Sequence, residues 1–344
     1  MTNRIQSWLF IALVLLLGGW SLLLHPRALP TLQQVGNGQA QTAFAADFDT
    51  AFAPRDFSLG LWSFVSLTLF GEGQRGVLVG EDGWLYSSEE WEVERAEPAA
   101  LDAGIEAVQQ AAARLEAAGA NLCIVVVPDK ARMVPDHLRH TRTAAVEARY
   151  DRALTGLRAA GLPVEDLRPI IQTLPVSQRY MRTDTHWTPA TTLAVAASTC
   201  AGFADPLAAD SFETVAAPTA THRGDLMSFI KLGWFERFSA LKPEAFTGLK
   251  TEGTNTGGGL GLFGDAPDPI ILVGTSYSAM EEWNFRGAIC EATNRDVVNW
   301  SKPGQGPFVP MDAYLESADF ADNPTRDVIW EIPERQLARL EAAL

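Results

Sequence analysis

The chain contains few cysteines and few histidines. Three cysteines occur among 344 residues, at Cys123, Cys200 and Cys290, and no two of them form a Cys-x-x-Cys pair. An odd number leaves at least one thiol free in an oxidising compartment, so we expect small buried side chains rather than a disulfide framework. The five histidines show no spacing typical of a metal site. We therefore predict neither a metal site nor a bound cofactor.

Basic residues are also scarce. The chain has 27 lysines and arginines against 42 aspartates and glutamates, for a formal net charge of −15. Nucleic-acid-binding proteins need a basic face for the phosphates, so this charge argues against a nucleic-acid partner. An anionic polymer held by a local basic patch stays possible. The hydrophobic content of 47% is typical of a globular protein, and 344 residues suffice for one large or two medium domains.

An uncharged apolar run lies near the N-terminus. Trp8–Leu24 is 17 residues long, at the lower limit of about 17 for a membrane-spanning helix. The run predicts a signal anchor over residues 1–30, and thus an inner-membrane protein with a periplasmic catalytic domain. A cleaved signal peptide is the alternative, but its candidate cleavage site at Ala43–Ala45 lies about 20 residues too far along the chain. Both alternatives predict that the protein is exported from the cytoplasm.

Residues 31–75 are predicted to form a linker followed by an apolar segment, and residues 76–344 the catalytic domain. Pro26–Gln41 is rich in Pro, Gly, Gln and Asn, which is typical of a linker. Val77–Gly80 is followed closely by Asp82 and Gly83, a pair that favours a β-hairpin turn.

From residue 101 onward the pattern alternates between helix and strand. Apolar residues at helical spacing over residues 101–115 predict one helix, and Thr188 with Pro189 predicts the start of another that runs to Cys200. Short apolar strands separated by helices indicate an α/β three-layer sandwich with a central, mainly parallel sheet. The predicted strands are Leu122–Val127, Pro163–Leu167, Ile270–Val273 and Val328–Ile332.

Two short segments carry the candidate chemistry. Thr183–Trp187 places Asp184 two residues before His186, and Ser276 follows the strand Ile270–Val273 on a turn that opens a helix. A serine nucleophile needs a base, and the base needs an acid that orients it. We therefore predict Ser276 as nucleophile, His186 as general base and acid, and Asp184 as the group that holds the imidazole.

An oxyanion hole is predicted beside the nucleophile. The backbone N–H of Ser276 would supply one donor, at the start of a helix. A backbone N–H from the Pro303–Pro307 loop, with Gly304 and Gly306 as the candidates, would supply the other.

Each signal has a simpler interpretation when it stands alone. A Gly-x-Ser after a strand is usually only a turn, and an isolated Asp-x-His is more often structural or a pair of metal ligands. Gly259–Gly264 matches the spelling of a dinucleotide-binding loop, but it precedes a strand instead of following one and is predicted to be a flexible loop.

Five segments, taken together and in order, resemble one known family. They are Val79–Tyr86, Val127–Arg132, Arg182–Pro189, Val273–Ser278 and Trp330–Arg335. They resemble the alginate O-acetyltransferase AlgJ/AlgX family, exported proteins with an SGNH-hydrolase-like domain. The resemblance assigns Asp184, His186 and Ser276 as the triad, in a circularly permuted order compared with ordinary SGNH esterases. We expect the chain to resemble AlgJ more, since it ends soon after Arg335 and the AlgX type adds a C-terminal carbohydrate-binding module.

The resemblance implies an O-acetyltransferase that works through an acetyl-serine at Ser276. The acetyl group would come from a membrane-bound O-acyltransferase partner, ultimately from acetyl-CoA, within a larger exopolysaccharide machinery. An alginate-like polymer is the first expectation for the acceptor, and cellulose or another exopolysaccharide the second. The side chains expected to contact it are Lys130, Arg132, Arg182, Trp187, Tyr277 and Trp300. An acetyl esterase with the same triad, a non-catalytic scaffold and a metal-dependent enzyme remain alternatives.

Overall fold

The structure, a computed structural model, describes residues 2–24, 30–52, 54–204, 211–254, 268–322 and 327–339. The chain divides into two compact units. The first consists of Met1–Gln74 with Ile230–Leu241, and the second of Arg75–Phe229 with Lys242–Leu344. Gly259–Gly264, predicted as a loop, lies outside the described residues.

The first unit is helical. Its helices are α1 (Thr2–Leu24), α2 (Leu32–Gly36), α3 (Gln39–Ala51) and α4 (Arg55–Val65). Thr31 and Gln34 form a reciprocal capping box that starts α2, which explains why a segment with the composition of a linker is helical here. Gly60 of α4 lets the helix approach Leu232 closely, because a Cβ at this position would lie 2.7 Å from the Leu232 carbonyl oxygen.

None of the helices in the described part of the chain is both long enough and apolar enough to cross a membrane. The anchor expected over residues 1–30 stays a prediction.

The second unit contains the strands, in three sheets. A hairpin pairs β1 (Val77–Val79) with β2 (Leu85–Ser87), and its turn places Asp82 and Gly83 at positive φ, as predicted. The other strands in the described residues are β3 Asn121–Val127, β4 Phe212–His222, β5 Glu244–Gly253, β6 Ile270–Val273, β7 Val297–Asn299 and β8 Asp327–Pro333.

Strands β4 and β5 form a long antiparallel pair. The main sheet is wholly parallel, in the order β3-β8-β6-β7.

Ten helices in the described residues surround these strands. They are α5 Pro98–Ala117, α6 Lys130–Met133, α7 Ala144–Glu147, α8 Arg149–Ala159, α9 Arg168–Gln172, α10 Pro189–Thr199, α11 Ser276–Ala279, α12 Phe285–Thr293, α13 Phe308–Leu315 and α14 Ala318–Asp322. Thr188 caps α10 through a hydrogen bond from Thr191 N–H, as the sequence predicts.

Both faces of the parallel sheet are covered, which confirms the predicted sandwich. Val125, Val127 and Leu272 pack with α10 and α12 on one face. Val126 and Ile271 pack with α5, α8 and α13 on the other. Each fully buried side chain of this size contributes about 1.5–3 kcal/mol to the free energy of folding. The site described next lies where these strands end.

One predicted strand is wrong. Within Pro163–Leu167, Val164 alone forms a bridge to the sheet, opposite Ile124. The guanidinium of Arg158 donates two hydrogen bonds to the Val164 carbonyl, at 3.2 and 3.1 Å, and so takes the acceptor that a longer ladder would use.

Candidate active site

Ser276 lies on a tight turn between β6 and α11. Thr275 caps the helix by accepting a hydrogen bond from Tyr277 N–H at 3.3 Å, and Ser276 is the first helical residue. Gly274 is required at this turn, because a Cβ there would lie 2.5 Å from the Glu331 carboxylate. Ser276 is half-buried while both of its neighbours are buried, so its hydroxyl stands at the open end of the turn.

His186 and Asp184 meet this hydroxyl from the segment that precedes α10. His186 Nε2 lies 2.7 Å from Ser276 Oγ, and His186 Nδ1 lies 2.5 Å from Asp184 Oδ1. An ionised carboxylate only accepts hydrogen bonds, so Nδ1 donates to Asp184 and Nε2 is left as acceptor for the serine O–H. Both side chains are nearly fully buried. The two segments predicted from the sequence thus come together in one chain of hydrogen bonds.

Asp184 is held by four hydrogen bonds. Its Oδ1 also accepts from His186 N–H at 3.0 Å, and its Oδ2 accepts from Asp225 N–H and from His222 Nε2, each at 2.9 Å. Burial acts to raise the pKa of Asp184, but the hydrogen bonds from His186 and His222 hold it well below its usual range. The group is therefore a carboxylate at neutral pH, which is the form that stabilises an imidazolium.

Sequence reasoning missed His222 and Asp225. Gly224 between them brings their loop against the Asp184 segment, because a Cβ at Gly224 would lie 2.1 Å from the Thr183 carbonyl oxygen. Asp225 accepts from Thr185 N–H at 2.8 Å and from the Thr185 hydroxyl at 2.6 Å. Two titratable residues flanking an Arg-Gly pair were the one local signal for this loop.

Aromatic rings fix the imidazole of His186. Trp283 stacks on it with centroids 5.1 Å apart and planes at 20°, and Tyr277 lies 4.6 Å away. The Tyr277 hydroxyl donates to the Thr185 carbonyl at 2.6 Å and accepts from Arg335 at 3.1 Å. These two hydrogen bonds hold the Tyr277 hydroxyl in place, so the ring forms a fixed wall of the site.

A buried carboxyl group supports the nucleophile turn from below. Glu331 of β8 accepts from Thr275 N–H at 2.8 Å and from the Ser278 hydroxyl at 3.1 Å. Burial raises the pKa of Glu331 to about 7, against the pull of these hydrogen bonds. The sequence predicted an apolar strand here and gave no reason to connect position 331 with Ser276.

Lys130 and Arg132 do not reach an acceptor site. Lys130 is fully buried and donates to three backbone carbonyls, those of Leu85, Arg182 and Asp184, at 2.5, 3.0 and 2.9 Å. Burial lowers its pKa to about 8. The structure does not support the substrate contact predicted for Lys130, since a side chain without exposed surface cannot meet a polymer.

Arg132 belongs to a buried group of charged side chains, here called the ion cluster. Arg132 Nη2 lies 2.7 Å from Glu334 Oε1, and its side chain is 9% exposed. Because each of its arginines pairs with a carboxylate, the ion cluster holds the sheet edge together and leaves no free basic patch. The ion cluster consists of Asp129, Arg132, Arg142, Arg149 and Glu334.

The remaining predicted contacts are divided. Trp187 and Tyr277 are buried and pack on each other at 5.5 Å, so they too have no surface for a sugar. Trp300 is half-buried and packs on Tyr314. Arg182 keeps some exposure, and its Nη2 donates to the Lys242 carbonyl at 3.0 Å. The acceptor contacts of Arg182 and Trp300 stay predictions.

Gly304 and Gly306 lie in a loop that passes the carboxyl end of β6. Lys302 N–H donates to the Gly274 carbonyl at 3.1 Å, which places the start of this loop beside the nucleophile turn. Both glycines have positive φ, +75° and +69°. Their role as oxyanion donors stays a prediction.

Asp184, His186 and Asp225 lie close enough together to hold a cation in principle. Their atoms are already engaged, because both ring nitrogens of His186 lie at hydrogen-bond distance from Ser276 and Asp184. Asp225 uses both carboxylate oxygens on Thr185. This donor set fits acid–base chemistry better than metal binding.

A cavity of about 650 Å³ opens beside α11. Ser278 and Ala279 of that helix line it together with Asn299. Arg286 adds a positive charge to its wall and Glu281 a negative one, and Lys250 adds a second positive charge that is paired with Glu252 at 2.6 Å. The wall is thus more basic than the chain as a whole.

The parallel sheet, with a serine turn at its carboxyl edge, has the α/β fold of the SGNH hydrolases. A model of the family described as "SGNH hydrolase-like domain, acetyltransferase AlgX" matches residues 77–334. The chain belongs to this family, which confirms the resemblance found in the sequence. The circular permutation expected from the order of Asp184, His186 and Ser276 stays a prediction.

Individual relatives agree with this assignment. The chain is 36% identical over 338 residues to a Pseudomonas fluorescens protein named probable alginate O-acetylase AlgJ, covering 96% of this chain and 86% of that protein. The solved O-acetyltransferase domain of Pseudomonas putida AlgJ superposes with a TM-score of 0.68 at 29% identity, covering 78% of this chain and 94% of that one. Pseudomonas aeruginosa AlgX, at 20% identity and a TM-score of 0.60 over 76% of this chain and 63% of that one, shares the fold.

Proposed function

We propose that this protein is an O-acetyltransferase that carries an acetyl group on Ser276 and passes it to hydroxyl groups of an alginate-like exported polysaccharide. The observation that carries the proposal is the hydrogen-bond chain from Ser276 through His186 to Asp184, with distances of 2.7 and 2.5 Å. Membership of an acetyltransferase family and relatives named alginate O-acetylase support the reaction and the acceptor.

The first half-reaction loads the enzyme. Ser276 Oγ attacks the carbonyl carbon of the acetyl donor while His186 Nε2 takes the hydroxyl proton. The bond from acetyl to the donor breaks, and His186 returns the proton to the leaving group. Asp184 stabilises the imidazolium between these two transfers, because its low pKa keeps it ionised at neutral pH.

The second half-reaction transfers the acetyl group from Ser276 to the acceptor. A polysaccharide hydroxyl attacks the acetyl-serine, His186 takes the hydroxyl proton, and Ser276 Oγ leaves and recovers that proton. The acetyl group has then moved from one oxygen to another without oxidation or reduction. Backbone N–H groups of Ser276 and of Gly304 or Gly306 are proposed to stabilise the oxyanion in both steps, each worth on the order of 3 kcal/mol of barrier.

The cavity beside α11 is proposed to hold the acceptor. Lys130 is buried and Arg132 is paired with Glu334, so other residues must supply the basic groups for a uronate polymer. Lys250 and Arg286 line the cavity, and Ser278 and Ala279 connect it to the nucleophile helix. Cationic side chains suit the carboxylates of a uronate chain.

We propose that the reaction takes place outside the cytoplasm, where an exported polymer is available. A membrane-bound O-acyltransferase partner, fed ultimately by acetyl-CoA, would deliver the acetyl group. Proteins of the AlgX type, one of which is 28% identical over 72% of this chain, would belong to the same machinery.

The direct test is mass spectrometry of the protein after incubation with an activated acetyl ester. We expect an acetyl adduct on the peptide that contains Ser276 in the wild type and in the control variant Ser198→Ala, whose exposed serine lies on α10. Ser276→Ala should carry no adduct there. An equal adduct in Ser276→Ala, or none in the wild type, would overturn the proposal.

Ser276 is half-buried, so water can reach an acyl-enzyme, and this observation favours an esterase as the second candidate. Offering the donor with and without an oligouronate separates the two functions. A transferase acetylates the sugar. Release of acetate at an unchanged rate, without acetylated sugar, would establish the esterase. A scaffold would form neither product, and Ser276→Ala would then leave polymer acetylation intact.

A further inference from the structure

The carboxylate of Asp184 is shared by two imidazoles, one on each oxygen. His186 occupies Oδ1 at 2.5 Å, and His222 Nε2 lies 2.9 Å from Oδ2. A Ser–His–Asp chain requires the first imidazole alone. The second comes from the end of β4, 38 residues from Asp184, and has no part in the proton transfers described above.

His222 is held in place by the same aromatic group as His186. Its ring meets Trp283 edge-on at 5.4 Å and Phe246 at 5.6 Å, while Trp283 stacks on His186. The side chain of His222 is 16% exposed. Trp283 and Asp184 thus each contact both imidazoles.

We propose that His222 is a positioning residue: its Nε2–H fixes the Asp184 carboxylate so that Oδ1 faces His186, and its second proton tunes the basicity of His186. The inference rests on the proposed acyl transfer at Ser276. Without the bond from His222, Oδ2 keeps a single partner, the Asp225 N–H, so the carboxylate is held less firmly in the orientation that faces His186. A misplaced carboxylate lowers the rate without weakening substrate binding.

The charge around His222 is mostly negative. Glu244 is its cross-strand partner in β5, and Asp225 faces it from the loop after β4. Lys130 lies behind Asp184, donating to its carbonyl at 2.9 Å, and Arg223 follows His222 in the chain. The hydrogen bond to Asp184 raises the pKa of His222 above its ordinary value. His222 therefore holds a positive charge to higher pH than a free histidine.

The sign of the effect on His186 follows. A protonated His222 competes for the negative charge of Asp184 and makes the His186 imidazolium less stable. Removing His222 removes this competitor, so the acid limb of the pH–rate profile should move to higher pH. Gln at position 222 keeps a neutral donor near the Nε2 position. Phe keeps the ring contacts but has no donor.

The kinetic test compares the wild type, His222→Gln and His222→Phe on a soluble acetyl ester. We expect His222→Phe to lower kcat about tenfold with KM within about twofold, and His222→Gln to retain most of kcat. Both variants should show the shifted acid limb. Val215→Ala, at an exposed position of β4, leaves Asp184 and His222 untouched and should stay within about twofold of the wild type in kcat. A His222→Phe variant with wild-type kcat and an unshifted profile would overturn the proposal.

A second measurement does not depend on activity. In protein labelled with ¹⁵N-histidine, NMR should show His222 titrating above the ordinary value of about 6.5 in the wild type, and closer to it in Asp184→Asn. A midpoint at or below 6.5 in the wild type would exclude the coupling, even if a variant failed to fold. If the coupling is present but Ser276 takes no acetyl group, the proposed function fails and the pairing of His222 with Asp184 stands.

Discussion

The carboxyl edge of the parallel sheet carries two groups of buried charge that differ in one respect. The ion cluster joins three arginines to Asp129 and Glu334, and four of its five side chains have no exposed surface. The site group joins Asp184 to two histidines and ends at Ser276, which is half-buried. Both contain carboxylates with displaced pKa values, so a displaced pKa alone does not distinguish a functional site.

What separates them is the way in which each network ends. In the ion cluster, Asp129 Oδ2 accepts from Arg142 at 2.8 Å and Arg149 at 2.5 Å, and positive and negative groups neutralise one another within the core. In the site group, the last hydrogen bond leads to a hydroxyl that a substrate can reach. A closed network contributes to the free energy of unfolding, and an open one can move a proton.

The largest effect should come from the open network. Asp184→Asn removes the charge that holds the His186 tautomer, so we expect acyl transfer to fall by about 10⁴-fold. The free energy of unfolding should also fall, because the amide NH2 faces a donor that the carboxylate accepted from, so the activity is compared per folded molecule. Single-turnover kinetics with an acetyl ester and urea denaturation measure the two quantities. A loss of activity matched by global unfolding would break the comparison.

Breaking the closed network should have the opposite pattern. Arg149→Met leaves Asp129 with one fewer partner in the core, and we expect the free energy of unfolding to fall by about 3–5 kcal/mol. Arg168→Met, which breaks a half-exposed ion pair with Asp166, is the matched control and should cost at most about 1 kcal/mol. The folded fraction of Arg149→Met should keep its turnover per molecule. Urea titration and active-site titration test this together.

Glu331 lies between the two cases, because it is fully buried like the ion cluster but its hydrogen bonds hold the nucleophile turn. Its pKa is raised to about 7 in the folded protein, so the folded state binds its proton more tightly than the unfolded state does. The stabilisation is complete below the unfolded pKa of about 4.3 and is lost as the pH rises through about 7.

In Glu331→Gln this loss should disappear. Urea titrations between pH 4 and pH 8 should show the wild type losing roughly 3 kcal/mol more than the variant. Glu90 contributes a loss in the same direction in both proteins, since burial also raises its pKa to about 7. Parallel pH profiles for the two proteins would show that Glu331 is ionised in the fold.

The smallest effect concerns the acceptor cavity. Arg286→Gln should raise KM for an oligouronate about threefold to tenfold and leave KM for the acetyl ester unchanged, since a single cation contributes about 1 kcal/mol. The effect should shrink at high salt. Arg152→Gln on α8, outside this cavity, is the control. Equal KM values in both variants would remove the cavity from the proposed function.

Much of the fold could be predicted because its signals are local. The apolar runs that became β3, β6 and β8 and the cap at Thr188 depend on residues a few positions apart. The strand expected at Pro163–Leu167 failed because an arginine five residues before that segment occupies its Val164 carbonyl, a competition that periodicity does not show.

The site was predicted in part for the same reason. Asp184 and His186 are two residues apart, and Ser276 follows a clear strand, so local spacing and order were enough to single them out. Lys130 and Arg132 were predicted as substrate contacts because an anionic acceptor needs basic groups and these two residues flank the proposed site in sequence. Their burial depends on carbonyl and carboxylate partners 45 to 202 residues away.

The sequence by itself determined which residues can do chemistry and at which strand ends they stand, because strand periodicity, turn residues and helix caps act over a few residues. The tertiary structure decided which of these residues meet. It joined His186 to Ser276 across 90 residues, gave Asp184 a second imidazole in His222, and placed Glu331 under the nucleophile turn. These contacts depend on how a parallel sheet brings distant strand ends to one edge, and that arrangement is a property of the packed core.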